Sequence, residues 1–85
     1  MKEKPVFDNS QRWTQLSHAI KFYRKEKKLS QIQLAERAGI SRQHLSAVES
    51  IRSDRGLSLD ALFNIATVLE VEPYLLLKFK MEIHL

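Results

Sequence analysis

A glycine interrupts the stretch Ser30–Ser50, SQIQLAERAGISRQHLSAVES, at Gly39, and the chain has only 2 glycines. Without it the segment would read as one amphipathic helix. The residue just past a last helical turn often adopts a positive φ, which costs a side chain bearing a Cβ about 1 kcal/mol or more and glycine very little. The stretch therefore reads as two short helices joined by a sharp turn. Signals on both sides agree. Ser30 followed three residues later by Gln33 makes a capping box, with Leu34, Ala35 and Ala38 as inward positions of the helix it starts. Ser41 is a ready N-cap for the next helix, in which Leu45 and Val48 turn inward three residues apart.

Helical periodicity extends on both sides of this pair. Trp13, Leu16, Ile20 and Tyr23 form one stripe and predict a helix from about Ser10 to Lys27. Ser58 caps another, whose stripe is Leu59, Leu62, Phe63, Ala66 and Leu69, with Asp60 in the first turn where negative charge suits the macrodipole. Pro73 stands at the tolerated first position of a fifth helix. The expectation is an all-α domain of five helices over residues 10–77, with the two-helix turn at 30–50. Residues 1–9, MKEKPVFDN, are expected to be a leader or a basic arm.

The tail changes period. In KFKMEIHL, residues 78–85, Phe79, Met81, Ile83 and Leu85 alternate with Lys78, Lys80, Glu82 and His84, which is a strand signature. The rest of the chain offers no second convincing strand, so the expected partner is the same strand in another copy. Phe79, Met81 and Ile83 would then be dimerisation residues of a two-stranded ribbon. A frayed or helical extension is the alternative.

Composition excludes several functions. Eighty-five residues make one domain, too small for a core plus a deep enzymatic cleft. The absence of cysteine removes disulfide frameworks and thiolate sites. His18, His44 and His84 fall in three different elements without metal-ligand spacing, and no glycine-rich phosphate loop is present. No catalysis, cofactor or metal is expected. The N-terminus lacks an apolar signal region and the longest aliphatic run is Leu75–Leu77, so a cytoplasmic protein that does not enter a membrane is expected. The formal net charge of +4 is compatible with nucleic acid without establishing it. Five bases lie in KFYRKEKK, residues 21–28, where they equally suit the C-terminal turn of a helix.

The composition of the Ser41–Ser50 helix is more specific. Opposite Leu45 and Val48 it carries Gln43, Ser46, Ala47 and Ser50, flanked by Arg42 and His44. An ordinary solvated face would hold long charged side chains. These groups instead match base edges: Gln can pair with adenine N6/N7, Arg with guanine O6/N7, Ser with either, and Ala packs on the thymine methyl.

The array Gln31, Leu34, Ala35, Gly39, Ser41, Leu45, Val48, Glu49, followed by Leu59, Leu62 and Ala66, resembles the lambda-repressor-like helix-turn-helix domain of the XRE/Cro regulators over about residues 16–77. The resemblance implies that Arg42, Gln43, Ser46 and Ala47 read bases, and that Gln31, Ser41, Arg52 and Arg55 contact phosphates. It also implies a structural pair between Arg24 and Glu49. The chain departs from the family pattern in its loop SIRSDRGLS, which lacks the usual Asn-Gly and proline, and in Glu70, which stands where a helix-ending glycine is common. The expected function is a homodimeric, sequence-specific regulator of transcription on double-stranded DNA, acting as a repressor on a partly palindromic operator. A different class stays open: an antitoxin-like protein that binds a toxin partner through exposed apolar residues such as Phe7, Phe22 and Leu85, and regulates its own operon.

Overall fold

The computed structural model describes residues 7–50 and 56–78, which form five helices: α1 (Ser10–Glu26), α2 (Gln31–Ala38), α3 (Arg42–Val48), α4 (Leu59–Leu69) and α5 (Pro73–Leu77). The expected strand with Phe79, Met81 and Ile83 lies outside the described residues, as do Arg52 and Arg55.

Local chemistry accounts for the helix boundaries. At α2 the Ser30 hydroxyl accepts from the Gln33 N–H at 3.0 Å while the Gln33 side chain accepts from the Ser30 N–H at 2.9 Å, closing the capping box. Ser41 and Ser58 cap α3 and α4 by accepting from the N–H groups of His44 and Ala61. Pro73 opens α5. Asn9 makes no side-chain cap for α1; the Asp8 carboxylate accepts from the Ser10 N–H instead, and that bond holds its pKa below the usual aspartate value.

Three of the helix exits share one geometry. Gly39, Lys28 and Glu70 have φ of 75°, 58° and 59°, and each is followed by an apolar residue whose N–H reaches back five positions: Ile40 to Ala35, Leu29 to Arg24, and Val71 to Ala66. This is the Schellman motif, with the apolar follower tucked against the core. Glu70 thus takes up the left-handed conformation that glycine would adopt without strain.

The core is continuous. Ala19 and Ile20 of α1, Leu34 of α2, Leu45 of α3, Ile65 of α4 and Leu76 of α5 are wholly inaccessible, and Ala35 and Ala38 let α2 lie close against α3 and α4. Two stripes differ from expectation. On α4 the buried face is Ala61, Leu62, Ile65, Ala66 and Leu69, whereas Leu59 and Phe63 are 67% and 47% exposed. Leu59 is the first residue past the Ser58 cap. On α1 Trp13 is 37% exposed, one turn before the buried residues Leu16, Ser17, Ala19 and Ile20. No described helix is long and apolar enough to cross a membrane.

Candidate nucleic-acid interface

Helix α3 is short, and its place is set from its C-terminal end. Leu45 and Val48 are buried, which turns Arg42, Gln43 and Ser46 outward; Ala47 is half-buried at the edge of that outer face. Arg42, Gln43 and Ser46 are exposed, and among the described residues their side chains make no hydrogen bond. His44 is turned aside, its Nε2 lying 3.2 Å from the Gly56 carbonyl oxygen, which ties α3 to the segment leading into α4.

At the far end of α3 the ties are dense. Glu49 caps the helix with its N–H on the Leu45 carbonyl, and its carboxylate is buried with only 2% of the side chain exposed. Arg24 of α1 donates to it twice, from Nε to Oε2 at 2.8 Å and from Nη2 to Oε1 at 3.0 Å, in the planar fork geometry that suits a carboxylate. A third guanidinium bond, from Nη1 to the Leu29 carbonyl at 2.9 Å, fixes the α1–α2 turn to the same junction. Gln31, the first residue of α2, donates from Nε2 to Glu49 Oε1 at 3.0 Å. Ser17 of α1 donates its hydroxyl to the Val48 carbonyl, satisfying one of the acceptors that every helix C-terminus leaves open.

The Glu49 carboxylate at the end of α3 is therefore neutralised by Arg24 and buried away from the outer face. Arg42 and the amide and hydroxyl groups beside it lie exposed on that face. Gln31 and Ser41 flank the same surface, Ser41 with its oxygen engaged at the His44 N–H and its hydroxyl proton still able to donate.

Two junction contacts lie outside what residue pattern suggested: Ser17 to Val48 and Gln31 to Glu49. A signal existed for the first, since Ser17 is a polar residue inside the α1 stripe, four after Trp13 and three before Ile20. For the second there was none, because the residues are 18 apart and belong to different helices. Among the described residues no three His, Cys, Asp or Glu side chains come together as a metal site.

Family comparison agrees with this geometry. A helix-turn-helix family model matches residues 20–76, which holds α2, α3 and α4 with the adjoining parts of α1 and α5. The chain belongs to the XRE/lambda-repressor-like helix-turn-helix family. It is a DNA-binding transcriptional regulator. Its fold is similar to the restriction-modification controller protein C.AhdI from Aeromonas hydrophila, with 31% identity and a TM-score of 0.69 over 75% of this chain and 94% of that one. The N-terminal DNA-binding domain of SinR from Bacillus subtilis is 36% identical, with a TM-score of 0.74 over 81% of this chain and 99% of that domain. A hypothetical transcription factor, NHTF from Neisseria, is 28% identical with a TM-score of 0.71, covering 91% of this chain and 86% of that one. No curated protein sequence matches the chain.

Proposed function

We propose that this helix-turn-helix regulator is a cytoplasmic, sequence-specific repressor that binds a partly palindromic operator as a homodimer. The observation that supports it is the outer face of α3: Arg42, Gln43 and Ser46 exposed together, with the Glu49 carboxylate buried against Arg24. A major groove about 12 Å wide admits a helix whose outer side chains are short, and Ser46 and Ala47 keep this one slim. In this arrangement Arg42, Gln43, Ser46 and Ala47 read base edges. Gln31 and Ser41 contact phosphates and set the register, and Arg52 and Arg55 join them on the strength of their place in the sequence.

A homodimer would present two such helices to half-sites about one helical turn, ~34 Å, apart. The tail with Phe79, Met81 and Ile83 supplies a self-complementary pairing pattern for that dimer. Occupancy of such a site excludes other proteins from it, which is the simplest route to repression.

In vitro selection of random duplexes by the purified protein at near-physiological salt tests the proposal. An enriched motif with two inverted half-sites about 10 base pairs apart is the expected outcome. An enriched motif without symmetry would remove the dimer. No enrichment by the folded protein would remove sequence-specific binding.

A further inference from the structure

The Glu49 carboxylate is shared by two groups with different work. Arg24 holds both of its oxygens, which anchors the end of α3 on α1. The Gln31 amide holds one of them as well, at 3.0 Å, and Gln31 is the residue that opens α2 at the edge of the proposed DNA-binding surface. A glutamine amide is a poor phosphate ligand by default, since its oxygen is repelled by the same anion that its nitrogen attracts. Free rotation would present either atom. A carboxylate behind the amide resolves this: it accepts one Nε2 proton and repels the amide oxygen, leaving the second Nε2 proton as the donor available to a phosphate.

We propose that Glu49 is a positioning residue for DNA binding, holding the Gln31 amide with its nitrogen inward so that the phosphate contact of α2 and the pose of α3 are set by one buried group. The inference rests on the DNA-binding reading above and deepens it. Glu49 is the C-cap of α3, so any tilt of that helix in the groove moves the carboxylate and with it the Gln31 donor. A duplex that fits α3 poorly therefore also loses alignment at a phosphate that α3 never touches. Backbone contact, ordinarily indifferent to sequence, becomes linked to sequence through this junction.

A double-mutant cycle on the selected duplex tests the proposal. Glu49→Gln keeps the shape of the side chain and Gln31→Ala removes the amide; affinity is measured by fluorescence anisotropy under conditions where circular dichroism shows each variant folded. Each single change is expected to weaken binding about tenfold, the scale of one hydrogen bond to a charged group, and the double variant to bind no more than about tenfold worse than wild type. Losses that multiply to about a hundredfold, or unchanged affinity in Glu49→Gln, would overturn it.

If Glu49→Gln fails to fold, the wild-type protein still decides the matter through the side-chain amide resonances of Gln31 in a 15N-labelled sample. Expected is slow exchange of one Nε2 proton with water in the free protein, and a shift of the other proton when the duplex is added. Rapid exchange of both protons would overturn the tether. Failure of the folded wild type to bind any duplex would instead overturn the DNA-binding reading, and the positioning role with it.

Discussion

At its C-terminal end α3 is tied to α1 by Ser17 and Arg24 and to α2 by Gln31, all converging on Val48 and Glu49. At its N-terminal end Ser41 supplies a local cap and His44 a single bond to the Gly56 carbonyl, while Arg42, Gln43 and Ser46 point outward. One helix of seven residues thus has an end made of buried, mutually satisfied polar groups and a face made of exposed ones. A helix this short has little intrinsic stability, so its direction must come from its neighbours. Concentrating those constraints at one end leaves the other free to carry side chains chosen for a target.

The largest effect should come from breaking the anchored end. Glu49→Ala leaves the Arg24 guanidinium, only 11% exposed, without its carboxylate and removes the acceptor of Gln31. The expected loss of stability is about 3 to 5 kcal/mol, the range for removing one partner of a buried pair. Denaturant unfolding monitored by circular dichroism measures it. A loss under about 1 kcal/mol would mean that the junction behaves as an exposed ion pair, and the contrast between the two ends would disappear.

The complementary change is Gln43→Ala at the free end. Here stability should stay within about 0.5 kcal/mol of wild type, since an exposed side chain away from caps and core contributes little. Affinity for the selected duplex should fall by roughly 1 to 3 kcal/mol, with relaxed preference at one base pair. Equal loss on selected and random duplexes, read by competition binding, would contradict a base-reading role.

How much of this was legible in the sequence follows the range of each interaction. Caps and turns are local, so Ser30 with Gln33, Ser41, Ser58, Pro73 and Gly39 marked four helix starts and the central turn. The inward face of α4 was harder. LDALFNIATVL is apolar almost all round, so the stripe through Leu59 and Phe63 and the stripe through Ala61 and Ile65 are equally periodic, and only the packing of neighbouring helices chooses Ile65. The Arg24–Glu49 contact was named through family resemblance, since nothing local connects residues 25 apart. The tie of Gln31 to Glu49 lay beyond both routes, because it depends on the angle at which two helices meet. Composition alone pointed to α3 as the helix with an unusual surface.

The three left-handed helix exits extend the comparison to the backbone. A Cβ added at Gly39 would meet nothing within 4 Å, so Gly39→Ala isolates the conformational strain. It should destabilise the fold by about 1 to 2 kcal/mol. Lys28, with φ of 58°, already carries that strain, and Lys28→Gly should recover up to about 1 kcal/mol after the entropy of a freer unfolded chain is subtracted. Thermal melts of the two variants should move in opposite directions. If both fall, the lysine side chain contributes packing that offsets its backbone strain.

The smallest effect belongs to the third exit. Glu70 accepts a bond from Lys27, with Oε1 and Nζ 2.6 Å apart, and that bond, reinforced by the lysine charge, lowers the Glu70 pKa below its ordinary value of 4.5. A carboxylate that is more acidic in the folded chain than in the unfolded one adds stability at pH above its unfolded value, and loses that contribution as pH falls through the folded value. Glu70 is 73% exposed, so the contribution is weak and further screened by salt. Glu70→Gln keeps the left-handed turn and removes only the charge. Its melting temperature should lie slightly below wild type at pH 7 in low salt, and the difference should close both below pH 4.5 and at high ionic strength. A gap that persisted in acid or in salt would assign the difference to the turn itself, which would place the ion pair among contacts that accompany the fold without holding it. Lys27 and Glu70 flank two strained exits at once, so the same series also tests whether surface charge helps to keep non-glycine residues in a conformation they otherwise resist.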